Sequence, residues 1–120
     1  MRTAAQRLGD TAEDLVARHL AAAGWTILDR NVRVGRRELD LIAIDPGPPR
    51  ALVFVEVRWR ARRDYGLPEE TVDHRKRARL RAAASELVSR GGPALPRLPP
   101  RFDLVVVEPG HRFRHHRAAL

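Results

Sequence analysis

Cysteine is absent from this 120-residue chain, which excludes disulfides, zinc-thiolate centres and thiol nucleophiles together. Long apolar runs are missing as well. No segment approaches the ~18 apolar residues of a membrane span, and the N-terminal MRTAAQRLGD has no apolar stretch of signal-peptide length. A cytoplasmic protein with no membrane partner is expected. Lysine is nearly absent: of the 23 basic residues only Lys76 is not Arg. No Gly-rich phosphate loop and no Ser-His-Asp arrangement is present.

What the chain does have is a 43% hydrophobic content and a length sufficient for one core, so a single domain over residues 1–120 is expected. The net charge of +8 favours a polyanionic partner, because basic surfaces bind phosphates by releasing counterions. The Arg excess, with many Ala, Gly and Pro, also reflects a compositional bias of the coding sequence, so charge alone does not single out nucleic acid.

Leu8, Ala12, Leu15, Val16 and Leu20 recur at helical spacing between Ala4 and about Ala23, and Gly24 is a natural stop. Glu13 falls at the edge of that apolar stripe, which suits a boundary side chain. Trp25 to Val34 reads as a strand, Gly35 as a turn, Glu38 to Asp45 as the hairpin partner and Ala51 to Trp59 as a third strand. A second helix is expected from Pro68 to Ser89 or Arg90, with the stripe Val72, Lys76, Leu80, Ala83, Ala84, Leu87 and Val88. After a Gly and Pro connector, Phe102 to Val107 is a β-branched strand, and HRFRHHRAAL is a basic tail that packs or touches nucleic acid.

Acids interrupt the most apolar strands. Side chains two apart share a strand face, so Leu52, Phe54, Glu56 and Arg58 point one way and Val53, Val55, Val57 and Trp59 the other. By the same rule Glu38, Asp40, Ile42 and Ile44 oppose Leu39, Leu41 and Ala43. If the two strands pair, Asp40 and Glu56 converge. Two half-buried carboxylates repel and lose hydration unless a cation compensates. Oxygen ligands of this kind suit Mg²⁺ or Mn²⁺, while a satisfied network with a nearby Arg accounts for the same residues. Arg58, two positions after Glu56, is the neighbouring cation that could offset phosphate charge.

The order of these residues resembles the PD-(D/E)XK nuclease superfamily, in which an acid on one strand precedes an acid-x-Lys triplet on the next; Asp40 and Glu56-Val57-Arg58 occupy those places. More closely, GDTAEDLVARHLAAAGWTILDRNVR, ELDLIAID, VFVEVRWR, VDHRKRARLRAAA and RFDLVVV are similar to the small, largely uncharacterised bacterial YraN-like family, itself similar to archaeal Holliday-junction resolvases. The resemblance implies an α/β, restriction-endonuclease-like three-layer core in the order α-β-β-β-α-β with a mixed central sheet. It implies Glu13, Asp40 and Glu56 around a divalent Mg or Mn ion, and Asp40, Glu56, Arg58 and Lys76 as catalytic residues. Structure-selective relatives often act as homodimers.

Two positions depart from the family. Arg58 replaces the usual Lys, keeping the charge but unable to act as a general base. Arg37 replaces a common Gly before the ELD motif, and Arg36 and Arg37 there can contact phosphate. Arg60, Arg62 and Arg63, with Trp59 and Tyr65, mix charge and aromatic rings as nucleic-acid surfaces do, or form a solvated loop. His74, His111, His115 and His116 match no tight metal-site spacing. The expectation is a metal-dependent endonuclease-like protein hydrolysing phosphodiesters of DNA, branched or structured DNA included. The alternatives are a catalytically impaired nucleic-acid-binding module of the same fold and a protein-protein adaptor.

Overall fold

A computed structural model describes residues 3–60, 74–90 and 95–119, with the side chains of 4–10, 74 and 76 left aside. The elements are α1 (Ala4–Ala22), β1 (Thr26–Val34), β2 (Arg37–Asp45), β3 (Ala51–Trp59), α2 (His74–Ser89), β4 (Pro100–Glu108) and β5 (Arg112–His116). No helix among the described residues is long and apolar enough to cross a membrane.

The first helix ends where its sequence stops it. Gly24 takes a positive φ of 93°, its N–H donates to Ala21 O at 3.0 Å, and the Trp25 N–H donates to Leu20 O at 3.0 Å. These two bonds satisfy carbonyls that the last turn would leave open, and they set Trp25 beside Leu20 in the core.

Strands run in the order β1-β2-β3-β4-β5. β1, β2 and β3 form the antiparallel meander expected from the sequence, and β4 lies parallel to β3 after the crossover through α2. The basic tail is not a free extension. Arg112–His116 form a fifth strand antiparallel to β4, so the order is α-β-β-β-α-β-β. The extra strand escaped sequence reading because RFRHH lacks the aliphatic alternation that marks a half-buried strand, and side-chain pairing with β4 supplies what propensity does not.

Helices cover both sheet faces. Ala12, Val16, Ala17 and Leu20 of α1 pack on Leu41, Ala43, Val53, Val55, Val105 and Val107. Leu80, Ala83 and Ala84 of α2 pack on Ile42, Leu52, Phe54, Leu104 and Val106. Alternate residues of β3 and β4 therefore serve opposite cores, giving a helix-sheet-helix sandwich. Val88, assigned by spacing to the buried stripe of α2, is 49% exposed because it lies at the margin of that stripe, while Leu87 beside it packs against the core. The expected helix start at Pro68 lies outside the described residues.

β2 breaks the simple alternation. Leu41 and Ala43 join the α1 side as parity requires, but Leu39 packs on the α2 side with Ile42. The cause is a change in pairing. The ladder between β2 and β3 ends at Leu41 opposite Val55, and the part of β2 before it hydrogen-bonds only to β1. Freed from one neighbour, the strand rotates, and the face assignments of Glu38, Leu39 and Asp40 no longer follow from those of Leu41 to Ile44.

Candidate functional site: a carboxylate cluster where two strands part

The parting of β2 from β3 leaves the backbone of β3 without its expected partner beyond Val55. Asp40 fills that place: its Oδ2 accepts the Val57 N–H at 2.9 Å. The bond draws the Asp40 carboxylate into the gap, against Glu56 on β3. Glu56 is 9% exposed and Glu13, on α1, is 8% exposed, so Glu13 is a buried group and not the boundary side chain that its helical-wheel position suggests.

Burial most of all, then the charge of Glu56 and that of Glu13, push the Asp40 carboxyl up to about 8, against the Val57 N–H, which favours the anion. Burial also raises Glu56, while Arg58 opposes the shift. That guanidinium holds Glu56 Oε1 at 3.0 Å through Nη2. Strand parity foresaw this ion pair, since the two side chains follow one another on the same face.

Glu38, which strand spacing places only on the face of Asp40 and which no motif assigns a role, is a further member of the cluster. One carboxylate oxygen from each of Glu13, Glu38 and Asp40 lies within 4.8 Å of the other two. Oxygen ligands of one ion with bonds of ~2.1 Å lie about 3.0 Å apart when adjacent and about 4.2 Å apart when opposed, so the trio shares an ion only if its oxygens draw together. Asp40 thus joins two groups, Glu13 and Glu38 on one hand and Glu56 with Arg58 on the other. The signal for Glu38 was its i, i+2 spacing to Asp40, and what hid it was its place near the strand's exposed end. Beside the cluster is a cavity of ≈ 10 Å³, lined by Leu39, Asp40, Phe54, Val55, Glu56, Leu80 and Phe102; it has room for about one water.

The remaining expected site residues divide. Lys76 falls on α2, on the helix that covers this face, with its side chain outside the description. Arg36 and Arg37 are exposed at the turn entering β2, and Arg60 is half-buried just after β3, its N–H donating to Val107 O at 2.9 Å. Arg62, Arg63 and Tyr65 lie outside the described residues, as does the His74 side chain. Trp59 packs against the α1-side core and not on a loop surface.

A second polar cluster, absent from the sequence reading, occupies the α1 face near Trp25. Asp103 is fully buried, at 0% exposure. It accepts Arg101 Nε and Nη2 at 2.9 Å each, the Ala118 N–H at 3.0 Å, and contacts His115 Nε2 at 2.8 Å. Burial opposes its ionisation, but the hydrogen bonds from His115, Arg101 and Ala118 outweigh burial and hold the carboxyl down at about 2. Asp45 accepts Arg101 Nη2 at 2.8 Å, and the Arg101 and Arg117 guanidinium carbons lie 5.6 and 5.9 Å from the Trp25 ring. Every acid here has its cations, so this cluster fastens the tail to the sheet. FDLVVV carries the same sign that marked Asp40, an acid within an aliphatic strand.

The model of the Uncharacterised protein family UPF0102 matches residues 12–107, which include Glu13, Glu38, Asp40, Glu56 and Arg58. A UPF0102 protein of Symbiobacterium thermophilum is 47% identical over 105 residues, covering 88% of this chain and 85% of the relative. One from Rhodococcus jostii is 43% identical over 104 residues, 87% of this chain and 84% of its own. One from Chlorobaculum tepidum is 43% identical over 105 residues, 87% and 77% respectively. With matches of this extent, the chain belongs to the UPF0102 family, the YraN-like group that its motifs resemble.

Proposed function

We propose that the protein is a metal-dependent nuclease that hydrolyses phosphodiester bonds of DNA, on a restriction-endonuclease-like variant of its α/β sandwich. The observation that carries this reading is the convergence on Asp40 of acids from three elements, Glu13 of α1, Glu38 of β2 and Glu56 of β3. Asp40 and Glu56, crowded and largely buried, resist joint ionisation, and a divalent cation relieves that repulsion. The donor set is oxygen only, which suits Mg²⁺ or Mn²⁺.

Glu13, Asp40 and Glu56 are the ligands in this reading, with Glu38 close enough to join them or replace Glu56. A divalent ion here supplies charge stabilisation at phosphate and a more acidic bound water. Arg58 contributes positive charge beside the reacting phosphate and fixes Glu56, but its guanidinium cannot accept a proton. Lys76 is retained as an assisting cation from the family pattern.

The test is cleavage of labelled linear and branched DNA with Mg²⁺ or Mn²⁺, by the wild type and by Asp40→Ala. At least a ~100-fold loss in the variant is expected, and equal cleavage by both would overturn the assignment.

The Arg58–Glu56 ion pair favours a second reading, a nucleic-acid-binding module with impaired catalysis, because a guanidinium occupies the place of a proton-transferring Lys. That reading requires salt-dependent binding that is indifferent to metal and unaccompanied by cleavage.

A further inference from the structure

α2 carries five cations in seven residues, Arg75, Lys76, Arg77, Arg79 and Arg81, and no acid from Arg75 to Ser85. Such a run is unfavourable for the helix itself. Like charges at i, i+4 repel, and the amino-terminal half of a helix favours anions. Arg30, Arg58, Arg90, Arg101, Arg114 and Arg117 all pair with carboxylates. Among the described residues, Arg75, Arg77 and Arg79 have no carboxylate partner, and all three are exposed.

Their placement is ordered. At 100° per residue, Arg75 and Arg79 fall on one side of the packed stripe of Leu80, Ala83, Ala84 and Leu87, and Arg77 and Arg81 fall on the other. Within each pair the rise is ~6 Å. The Arg81 guanidinium carbon lies 5.4 Å from the Phe102 ring, which directs the Arg77 and Arg81 side towards β4. Leu80, between the two pairs, lines the same small cavity as Asp40 and Glu56. Two short rows of guanidinium groups therefore flank the α2 face whose Leu80 lines the cavity beside Asp40 and Glu56.

We propose that Arg75, Arg77, Arg79 and Arg81 form a phosphate-tracking surface that holds the backbone of a nucleic acid beside the carboxylate cluster. It rests on the nucleic-acid part of the reading above and is independent of metal and of cleavage. Guanidinium groups suit this role because each presents a planar fork of donors to phosphate oxygens.

The experiment is anisotropy of a labelled DNA duplex in EDTA over a series of KCl concentrations, for three proteins. These are the wild type, Arg75→Ala/Arg77→Ala/Arg79→Ala, and a charge-matched control, Arg18→Ala/Arg33→Ala/Arg112→Ala. Alanine keeps helix propensity high, and circular dichroism checks the fold. Each lost phosphate contact lowers the slope of log K against log salt by about 0.9. The α2 variant is expected to lose about 2 to 3 in slope and roughly 10- to 100-fold in affinity, and the control less than about 1 in slope. Equal losses in both variants, or an unchanged slope in the α2 variant, overturn the surface while leaving nucleic-acid binding intact. A wild type that does not bind DNA overturns the nucleic-acid reading, and this surface with it.

Discussion

Asp40 accepts the Val57 N–H at 2.9 Å at the place where β2 and β3 cease to pair. A side chain thus completes the ladder, and the same contact presses Asp40 on Glu56. The Asp40 carboxyl rises from its ordinary 3.8 to about 8. Between those values the folded chain retains a proton that the unfolded chain releases, so stability falls as pH rises through about 4 to 8. Asp40→Asn keeps an acceptor for Val57 and cannot ionise. Without metal, the variant is expected to match the wild type within ~0.5 kcal/mol near pH 4 and to exceed it by about 1 to 3 kcal/mol or more near pH 9. Urea titrations at the two pH values measure this; a difference that does not grow with pH would remove Asp40 as the proton-holding group.

A cation at the cluster should reverse that cost. Ligand carboxylates must lose their protons to bind, so binding strengthens as Asp40 ionises. Mn²⁺ at ~100 times its Kd is expected to stabilise the wild type by about 2.7 kcal/mol, with a higher affinity at pH 8.5 than at pH 6. Calorimetry and thermal shift report both quantities, and Asp40→Ala should abolish both. Undiminished binding by Asp40→Ala would place the ion elsewhere.

Arg58→Lys retains the charge beside Glu56 and restores a group able to exchange a proton. If catalysis is limited by Arg58, the substitution raises metal-dependent cleavage by at least about tenfold, within the ~10²- to 10⁴-fold range of general acid-base catalysis. A rise confined to kcat, with KM unchanged, would separate proton transfer from phosphate binding.

The elements that sequence made legible are those with a strong period. α1, β3 and the meander agree with it nearly to the residue, and the Glu56–Arg58 pair follows from strand parity alone. Asp40 was marked by an acid inside an aliphatic run. Parity failed at Leu39 and Glu38 because it presumes two continuous neighbours, and β2 loses one there. Neither the burial of Glu13 nor its closeness to Glu38 and Asp40 can be had from local spacing, since both depend on how α1 lies over the end of the sheet. β5 was hidden for a related reason: its ordering comes from long-range partners, Asp103 and Asp45, that the basic run does not reveal.

Those long-range partners make the last prediction. Asp103 is held at about 2, below its ordinary 3.8, by His115, Arg101 and the Ala118 N–H. An acid with a lowered folded pKa contributes stability above the unfolded value, and that contribution is lost as pH falls through about 4 to 2. Asp103→Ala leaves Arg101 and His115 without the anion that they share, and at pH 7 it should cost about 3 to 5 kcal/mol, as breaking a buried ion pair does. Asp103→Asn keeps part of the hydrogen bonding and should cost less at pH 7. Near pH 2.5 its deficit should shrink, because the wild-type carboxyl is by then partly protonated. Urea unfolding followed by circular dichroism at the two pH values measures the change. A deficit for Asp103→Asn that stays constant from pH 7 to 2.5 would mean that packing, and not the charge of Asp103, holds β5 to the sheet.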